Sequence, residues 1–427
     1  MHSTLAATVD RRTGVGIHYQ LLIAAYVVAL ILFNREAGIL LAIPKIIVPL
    51  IAFAFLIQVL GRGSKIHVPM TYRIWAVWFI IAITSTLLSD DVRLARVITL
   101  AQLAFVGFMI TNFLIWNRDT RFYIFALIAG VTASMFWIHL DPAAFTQNNR
   151  MRGTIGNANA HGVLLSVGLV LSVVMGLGAR RWFSKFLLLG LAAWFFTAIL
   201  QTGSRQAIFG GAVLTAFVVF CAYLYRGWIA KDKSLPKLIA ISAVGFPVLL
   251  AAIIGSDFWF RIERGAAALG GDIGADGSVR QRLWMIQRGL ELWSDSPVIG
   301  HGMTAFSHAA DADHIFASRI GGYAHNNYIE ILVATGLLGL LIYVSIYIYW
   351  LAKLYILRHS LTRRELFAPY TITIAVVAIT IVSDVARVSH YEKLFWLLLP
   401  WIAAELYLLD EKTRPRFGFK QKTAKGY

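Results

Sequence analysis

The sequence predicts an all-α membrane protein with about twelve transmembrane helices and one large helical loop between the ninth and tenth of them. Two observations support this. The 427 residues are 58% hydrophobic and only 14% charged, more apolar than a soluble domain of this size requires. Apolar runs of roughly 20 residues, the length that a helix needs to cross a bilayer, also recur along the chain. Lipid is therefore the main solvent of this protein.

The apolar runs divide the chain into four parts. They occupy residues 17–33, 38–60, 71–88, 97–116, 121–140, 161–178, 183–200, 206–225, 236–255, 327–351, 367–383 and 392–409. The first run is short, and the eleventh could begin at Pro369. The predicted parts are spans one to nine within 1–255, a loop at 256–326, spans ten to twelve within 327–409, and a basic tail at 410–427.

The basic residues set the expected orientation. The chain has 39 Lys and Arg against 22 Asp and Glu, a formal charge of +17, and most of the surplus falls on one side of the spans, as the positive-inside rule describes. Both termini are therefore predicted to be cytoplasmic, and the 256–326 loop to be periplasmic in a Gram-negative cell. Because the basic residues are scattered between apolar spans, we expect membrane lipid as a partner and no nucleic acid.

The outward loops carry arginine and no lysine, unless Lys45 or Lys393 leans out from a helix end. Their arginines are Arg35, Arg93, Arg96, Arg150, Arg152, Arg205, Arg261, Arg264, Arg280, Arg282, Arg288, Arg319 and Arg387. Orientation alone does not distinguish the two residue types, whereas binding a phosphate with a planar fork does. The asymmetry reflects either codon bias and chance or an outward anion site.

The 256–326 loop is expected to fold, because it is rich in aromatic residues. Residues 279–294 predict a helix with Leu283, Ile286, Leu290 and Trp293 on one face, ended by Pro297. Its arginines Arg280, Arg282 and Arg288 form either a solvated face or a substrate-binding set. The turn at 296–302 either stops the helix or directs backbone N–H groups at the bound anion.

The segment from Ala324 to Gly339 is the most informative part of the sequence. It places His325 just before the tenth span, at the membrane–water boundary, where a titratable side chain is costly unless it has a chemical role. His325 is either an interfacial partner of the helix start or a base that takes a proton from an attacking hydroxyl. Asn326 or Asn327 is expected to cap the helix. Glu330 could orient the imidazole, although helical spacing does not favour direct contact.

Two further outward segments combine arginine with polar residues. Thr202-Gly203-Ser204-Arg205 forms a short turn, where Arg205 either snorkels at the boundary or faces a phosphate. Residues 150–161, with Arg150 and Arg152, form either an ordinary turn or part of a substrate site.

The last pair of spans brackets Asp384, Arg387 and His390, which form either a structural ion pair or a polar site. Metal binding has little support: Asp311, Asp313 and His314 make a weak motif, and the one cysteine, Cys221, excludes a thiolate cluster. No cofactor is expected.

Taken together, these motifs resemble the O-antigen ligase family (WaaL type), within the Wzy_C polymerase/ligase superfamily. The motifs are Thr202-Gly203-Ser204-Arg205, Arg280-x-x-x-Trp284, Pro297-x-x-Gly300-x-Gly302 with Phe306, and His325-Asn326 followed by Gly336-x-x-Gly339. They cover roughly residues 200–345. The first half resembles the family only in hydropathy and number of spans.

The resemblance implies an inverting glycosyltransferase of the GT-C type in lipopolysaccharide biosynthesis, facing the periplasm from the bacterial inner membrane. Its donor would be a glycan on undecaprenyl diphosphate and its acceptor lipid A–core, without metal or nucleotide sugar. The implied catalytic residues are His325, Arg205 and Arg280, with Arg282 nearly equal to Arg280. The expected substrate-binding residues are Arg282, Arg288, Arg150, Arg152, Tyr323, Asn326, Asp384 and Arg387.

Three other functions stay open at this point. An O-antigen polymerase would use the same donor but extend it. A protein O-oligosaccharyltransferase tends to have additional soluble sequence at its C-terminal side, which this chain lacks after Leu409. A non-enzymatic transporter or flippase would place charged residues near the middle of the bilayer, whereas here they gather at the outward ends of the spans.

Overall fold

The computed structural model describes residues 16–33, 39–89, 92–138, 140, 150–230, 263–264, 267, 270, 277–307 and 323–413. Over these ranges the chain is helical and contains no β-strand. The helices are α1 (Ile17–Leu32), α2 (Ile39–Leu56), α3 (Met70–Leu87), α4 (Ala95–Asn117), α5 (Arg121–Ile138), α6 (Ala158–Gly178), α7 (Trp182–Thr202), α8 (Leu214–Ala230), α9 (Gly277–Asp295), α10 (Asn327–Ile356), α11 (Arg364–Asp384) and α12 (Lys393–Thr413). Wider π-helical turns extend the end of α2 and precede α8 at Ala207–Val213.

Nine of the described helical segments are long and apolar enough to cross a membrane. They correspond to the second to eighth, tenth and eleventh predicted spans. The first predicted span, α1, has 16 residues and falls short of that length. The twelfth, α12, has a charged end that includes Asp410 and Glu411. The ninth predicted span, 236–255, lies outside the described residues, so the all-α membrane architecture is confirmed and the count of twelve stays a prediction.

The helices pack in pairs around a continuous apolar core. The pairs are α6 with α7, α1 with α5, α3 with α10, and α4 with α12. The core includes large buried side chains such as Trp75, Trp350 and Trp401. The two helices whose residues are most completely buried, α6 and α12, therefore form the interior of the bundle.

The loop helix α9 exists as predicted, but the apolar face noted in the sequence is not the face that packs on α10. Leu283 and Leu290 are 48% and 43% exposed. The buried face instead runs through Met285 and Gly289, which pack beside Ile329 of α10. Glycine at 289 permits this approach, because an added Cβ would lie 2.3 Å from the Ile329 side chain. The larger leucines are displaced to the outer face of α9.

Candidate active site

A cavity of about 250 Å3 opens beside His325, at the end of the bundle where α6 and α10 begin. The side chains that line it come from three separate segments of the chain, at 157–159, 323–325 and 386–392. They belong to Asn157, Asn159, Tyr323, His325, Ala386, Arg387, Val388, Tyr391 and Glu392. The cavity therefore combines an imidazole, a guanidinium, a carboxylate and two amides, which is a suitable set for binding a hydroxylated substrate.

The backbone around His325 is fixed on both sides. The Ala324 N–H donates to Glu330 Oε2 (2.8 Å), and the Asn326 side chain caps α10 by accepting from Tyr328 N (3.0 Å) and Ile329 N (3.1 Å). Between these anchors, His325 has φ 49°, the left-handed conformation that a non-glycine residue seldom adopts. Such strain persists only where the surroundings impose it, and it is concentrated at functional sites. Glu330 thus orients the backbone before His325 by accepting the Ala324 N–H, and not by direct contact with the imidazole.

The environment of His325 favours its neutral form. Burial lowers the pKa of the imidazole below its usual value of 6.5, and the positive charge of Arg282 on α9 lowers it further. A neutral imidazole can accept a proton at neutral pH, whereas an imidazolium cannot. Of the three α9 arginines, Arg282 is therefore the one whose charge lowers the pKa of His325. Arg280 is exposed, and Arg288 forms an ion pair with Glu291 (3.1 Å).

Asp384 lies behind the cavity and not in its wall. It is fully buried, and its Oδ2 accepts from Tyr343 (2.7 Å), Tyr347 (2.5 Å) and Asn327 Nδ2 (2.9 Å). Asn327 is the first residue of α10. Asp384 is therefore linked to the neighbouring His325 through Asn327, and its role in substrate binding stays a prediction.

The two polar residues that follow α11, Arg387 and His390, have different roles: Arg387 lines the cavity, and His390 bonds Asn327 behind it. His390 is buried and its Nδ1–H donates to Asn327 Oδ1. Burial, together with the positive charge of Arg96, lowers the pKa of His390 to about 3, so its ring is neutral. Arg387 lines the cavity and pairs with Glu392 (Nε to Oε1, 2.9 Å). Burial lowers the pKa of Arg387 to about 9, which still leaves it cationic at neutral pH.

Arg96 is a functional candidate that the sequence did not single out. Its guanidinium lies 5.2 Å from the ring centres of both Tyr323 and Tyr391, two residues of the cavity wall, and its Nη1 donates to Met303 O (3.1 Å). Cation–π contacts of this kind hold the two rings in place. The only signal in the sequence was membership of the outward arginine set, because no motif surrounds position 96.

The segment at 150–161 joins the cavity to the Thr202–Arg205 turn. Arg150 donates to Thr202 O (Nε, 2.8 Å) and to Asn159 Oδ1 (Nη2, 3.3 Å). Asn159 lines the cavity. Arg152, two residues after Arg150, is half-buried. Arg150 therefore acts as a brace between two polar loops, a role that the sequence left undecided between an ordinary turn and a substrate site.

Arg205 begins the helical segment that leads into α8. Gly203 takes φ 57°, and the Ser204 side chain accepts from Ala207 N (3.3 Å), so the turn directs the chain sharply into a helix. The next residue, Gln206, donates to Ser383 O (2.7 Å) and fixes this start against the end of α11. The half-buried Arg205 is thus mounted on a rigid turn at the same end of the bundle as the cavity.

The turn at 297–302 and the break in α10 at Gly336 are joined by backbone hydrogen bonds, and we call this arrangement the interlock. Gly336 interrupts α10 with φ 64° and ψ −169°. The 297–302 turn fits into this break: His301 N and Gly302 N donate to the carbonyls of residues 333 and 334 (both 2.9 Å), and Leu337 N donates to Pro297 O (2.9 Å). The N–H groups of His301 and Gly302 are therefore used by α10, which argues against the suggestion that this turn offers them to a bound anion.

A second, mostly apolar cavity of about 320 Å3 adjoins the first. The two share Asn157, Tyr391 and Glu392. Its remaining wall is dominated by aliphatic side chains, including Leu30, Leu164 and Leu397. A polar chamber next to an apolar one suits a molecule with a polar head and a hydrocarbon chain.

Comparison with known proteins agrees with the resemblance seen in the motifs. Residues 190–344 match the Wzy_C family model, described as O-antigen ligase. The exopolysaccharide production protein ExoQ of Rhizobium meliloti (strain 1021) is 25% identical over 240 residues, which cover 52% of this chain and 52% of that relative. The chain thus spans about half the length of the relative it matches. The matched region contains the Thr202–Arg205 turn, α9, the interlock and His325.

Proposed function

We propose that the protein is an O-antigen ligase, an inverting glycosyltransferase that moves a glycan from undecaprenyl diphosphate to lipid A–core. The observation that carries the proposal is the neutral, strained His325 in a polar cavity that adjoins an apolar one. The match to the O-antigen ligase model over residues 190–344 supports the same class of reaction. The cavity would face the periplasm, with both termini in the cytoplasm, as the distribution of Lys and Arg indicates.

In the proposed reaction, His325 accepts the proton of the acceptor hydroxyl while that oxygen attacks the anomeric carbon. The new bond forms as the bond from this carbon to the diphosphate oxygen breaks, and undecaprenyl diphosphate leaves with the electron pair. A single displacement inverts the configuration at the anomeric carbon. Arginine forks, from Arg205 and from Arg282 or Arg280, would stabilise the charge that develops on the diphosphate.

A second candidate follows from the relative named for exopolysaccharide production. If the acceptor were another lipid-linked glycan, the same site would extend the donor, and the protein would be a polymerase. Both reactions use the base and the leaving group described above, so the acceptor alone separates them.

The decisive experiment supplies purified protein with lipid-linked glycan, with and without lipid A–core. A ligase forms a glycan ladder on the core only when lipid A–core is present. Elongation of the lipid-linked glycan in the absence of core would replace the ligase by the polymerase. Failure of both reactions, with protein that still binds the donor, would contradict the proposed class of activity.

The charge of Arg282 leads to a prediction about pH. Because this charge lowers the pKa of His325, Arg282→Gln should raise that pKa towards 6.5. The base would then be protonated at a higher pH, and the acidic limb of the kcat/KM profile should shift upward. Arg282→Lys keeps the charge and should leave the limb in place, even if loss of the fork lowers the rate at every pH. An unchanged limb in Arg282→Gln would show that this charge does not act on the base.

A further inference from the structure

A long apolar groove of about 1120 Å3 lies between α5, α6, α7 and α11. It shares no lining residue with the candidate active site. Gly178, at the end of α6, lines the groove, whereas Asn157, the cap at the start of α6, lines the active-site cavity. The groove therefore begins at the opposite end of the bundle, and its volume exceeds the 300–1,000 Å3 or so that is usual for small-molecule pockets.

The groove follows one face of α5 for most of the length of that helix. Ile124, Ile128, Thr132 and Phe136 recur every four residues along its wall. At 1.5 Å per residue they span about 18 Å, close to one leaflet of a hydrocarbon core that is roughly 30 Å thick in total. The opposite wall contributes apolar side chains such as Leu191 and Ile372. These dimensions suit an extended acyl chain.

The groove is open along its side. Phe125, Phe136 and Leu187 line it and are 48%, 61% and 52% exposed. Apolar side chains that a bundle leaves uncovered at membrane depth are covered by lipid. A hydrocarbon chain can therefore enter from the bilayer without passing through water.

One end of the groove carries a surplus of positive charge. Arg118, Arg121, Arg180, Arg181 and Lys412 are its cations, against the carboxylates Asp119, Glu365 and Glu405. Each carboxylate is already engaged: Arg121 holds Asp119 (2.5 Å), Arg363 holds Glu365 (2.9 Å), and Glu405 accepts from Thr120 (2.5 Å).

Three of the cations make no direct ion pair among the described residues, although the positive charge of Lys412 acts on Asp119 and Glu405. Two of the five cations are paired: Arg118 with Glu411 (3.0 Å) and Arg121 with Asp119. The exposed Arg180, Arg181 and Lys412 have no ion pair with a carboxylate in the part of the chain that the structure describes. Unpaired cations at the head of an apolar channel are complementary to an anionic headgroup with an attached chain.

We propose that this groove binds an anionic phospholipid, with an acyl chain along α5 and the phosphate at Arg180, Arg181 and Lys412. The positive-inside rule also accounts for arginines at a cytoplasmic boundary, but it does not require an apolar channel of leaflet length beneath them. The site is independent of the glycosyl-transfer chemistry proposed above.

The test measures binding of phosphatidylglycerol to the delipidated full-length protein by native mass spectrometry. Arg180→Ala combined with Arg181→Ala should weaken binding about 30-fold, from the loss of two headgroup cations. Lys185→Ala removes a nearby exposed cation that does not line the groove and should change little. Ala133→Trp, which fills the channel and leaves the charges intact, should also weaken binding.

Two further ligands separate charge from chain. Phosphatidylcholine has the same chains without net charge and should bind clearly more weakly, and inorganic phosphate should not displace phosphatidylglycerol. Equal binding of the two lipids, unchanged affinity in the double arginine variant or in Ala133→Trp, or displacement by inorganic phosphate would each overturn the proposal.

Discussion

Replacement of His325 by alanine is expected to reduce glycan transfer about 100-fold or more, the typical scale for the loss of general-base assistance. The protein should stay folded, because His325 is only half-buried and the interactions of Glu330 and Asn326 that fix its backbone do not involve its ring. Donor binding should persist, since the arginines are unchanged. The measurement is single-turnover transfer with saturating donor and acceptor.

Two variants sharpen this prediction. His325→Gln keeps hydrogen-bonding capacity but has no group that accepts a proton at neutral pH. It should be as inactive as His325→Ala if His325 is a base, whereas recovery by glutamine would reduce the role of His325 to orienting the hydroxyl. His359→Ala alters an exposed histidine in the turn after α10, at the other end of that helix, and should retain activity. Near-normal transfer by His325→Ala would remove the proposed mechanism.

The position of His325 was predictable from the sequence because it depends on local information. An imidazole beside the start of an apolar run must lie near the membrane surface, and Asn326 is a good cap wherever a helix starts there. Run length also located most spans, since the thickness of a bilayer fixes how many apolar residues a helix needs. These inferences require only the neighbouring residues in the chain.

The partners of the site were not predictable, because they are distant in sequence. Arg96 reaches Met303 across 207 positions, and Asn327 meets Asp384 across 57. The packing face of α9 was not predictable for a related reason: Gly289 packs closely because it lacks a side chain, so hydrophobicity gives it no weight. Sequence identified the groups that could do chemistry, and the fold decided which of them share a cavity.

The interlock between the 297–302 turn and α10 leads to the second large effect, in Gly336→Ala. The backbone at 336, with φ 64° and ψ −169°, is accessible essentially to glycine alone, and forcing another residue into it costs about 1–3 kcal/mol. In addition, the new Cβ would lie 2.3 Å from the backbone carbonyl of Val298. Backbone atoms cannot yield as a side-chain end can, so the turn must move away from α10.

The 297–302 turn follows α9 and anchors its end to α10, in addition to the direct packing of Gly289 on Ile329, so Gly336→Ala should loosen α9 and shift Arg282 away from His325, with a large loss of transfer. Loosening is measurable with Met285→Cys in a Cys221→Ser background, since Met285 is fully buried on the inner face of α9. A maleimide should label this cysteine slowly when Gly336 is present and rapidly in Gly336→Ala.

Gly300→Ala, whose Cβ would meet Gly336 N at 2.5 Å, should behave alike. Gly190→Ala, with open space around its Cβ, is the matched control. Slow labelling together with full activity in Gly336→Ala would show that the interlock does not hold α9, and that Arg282 reaches the site by other contacts.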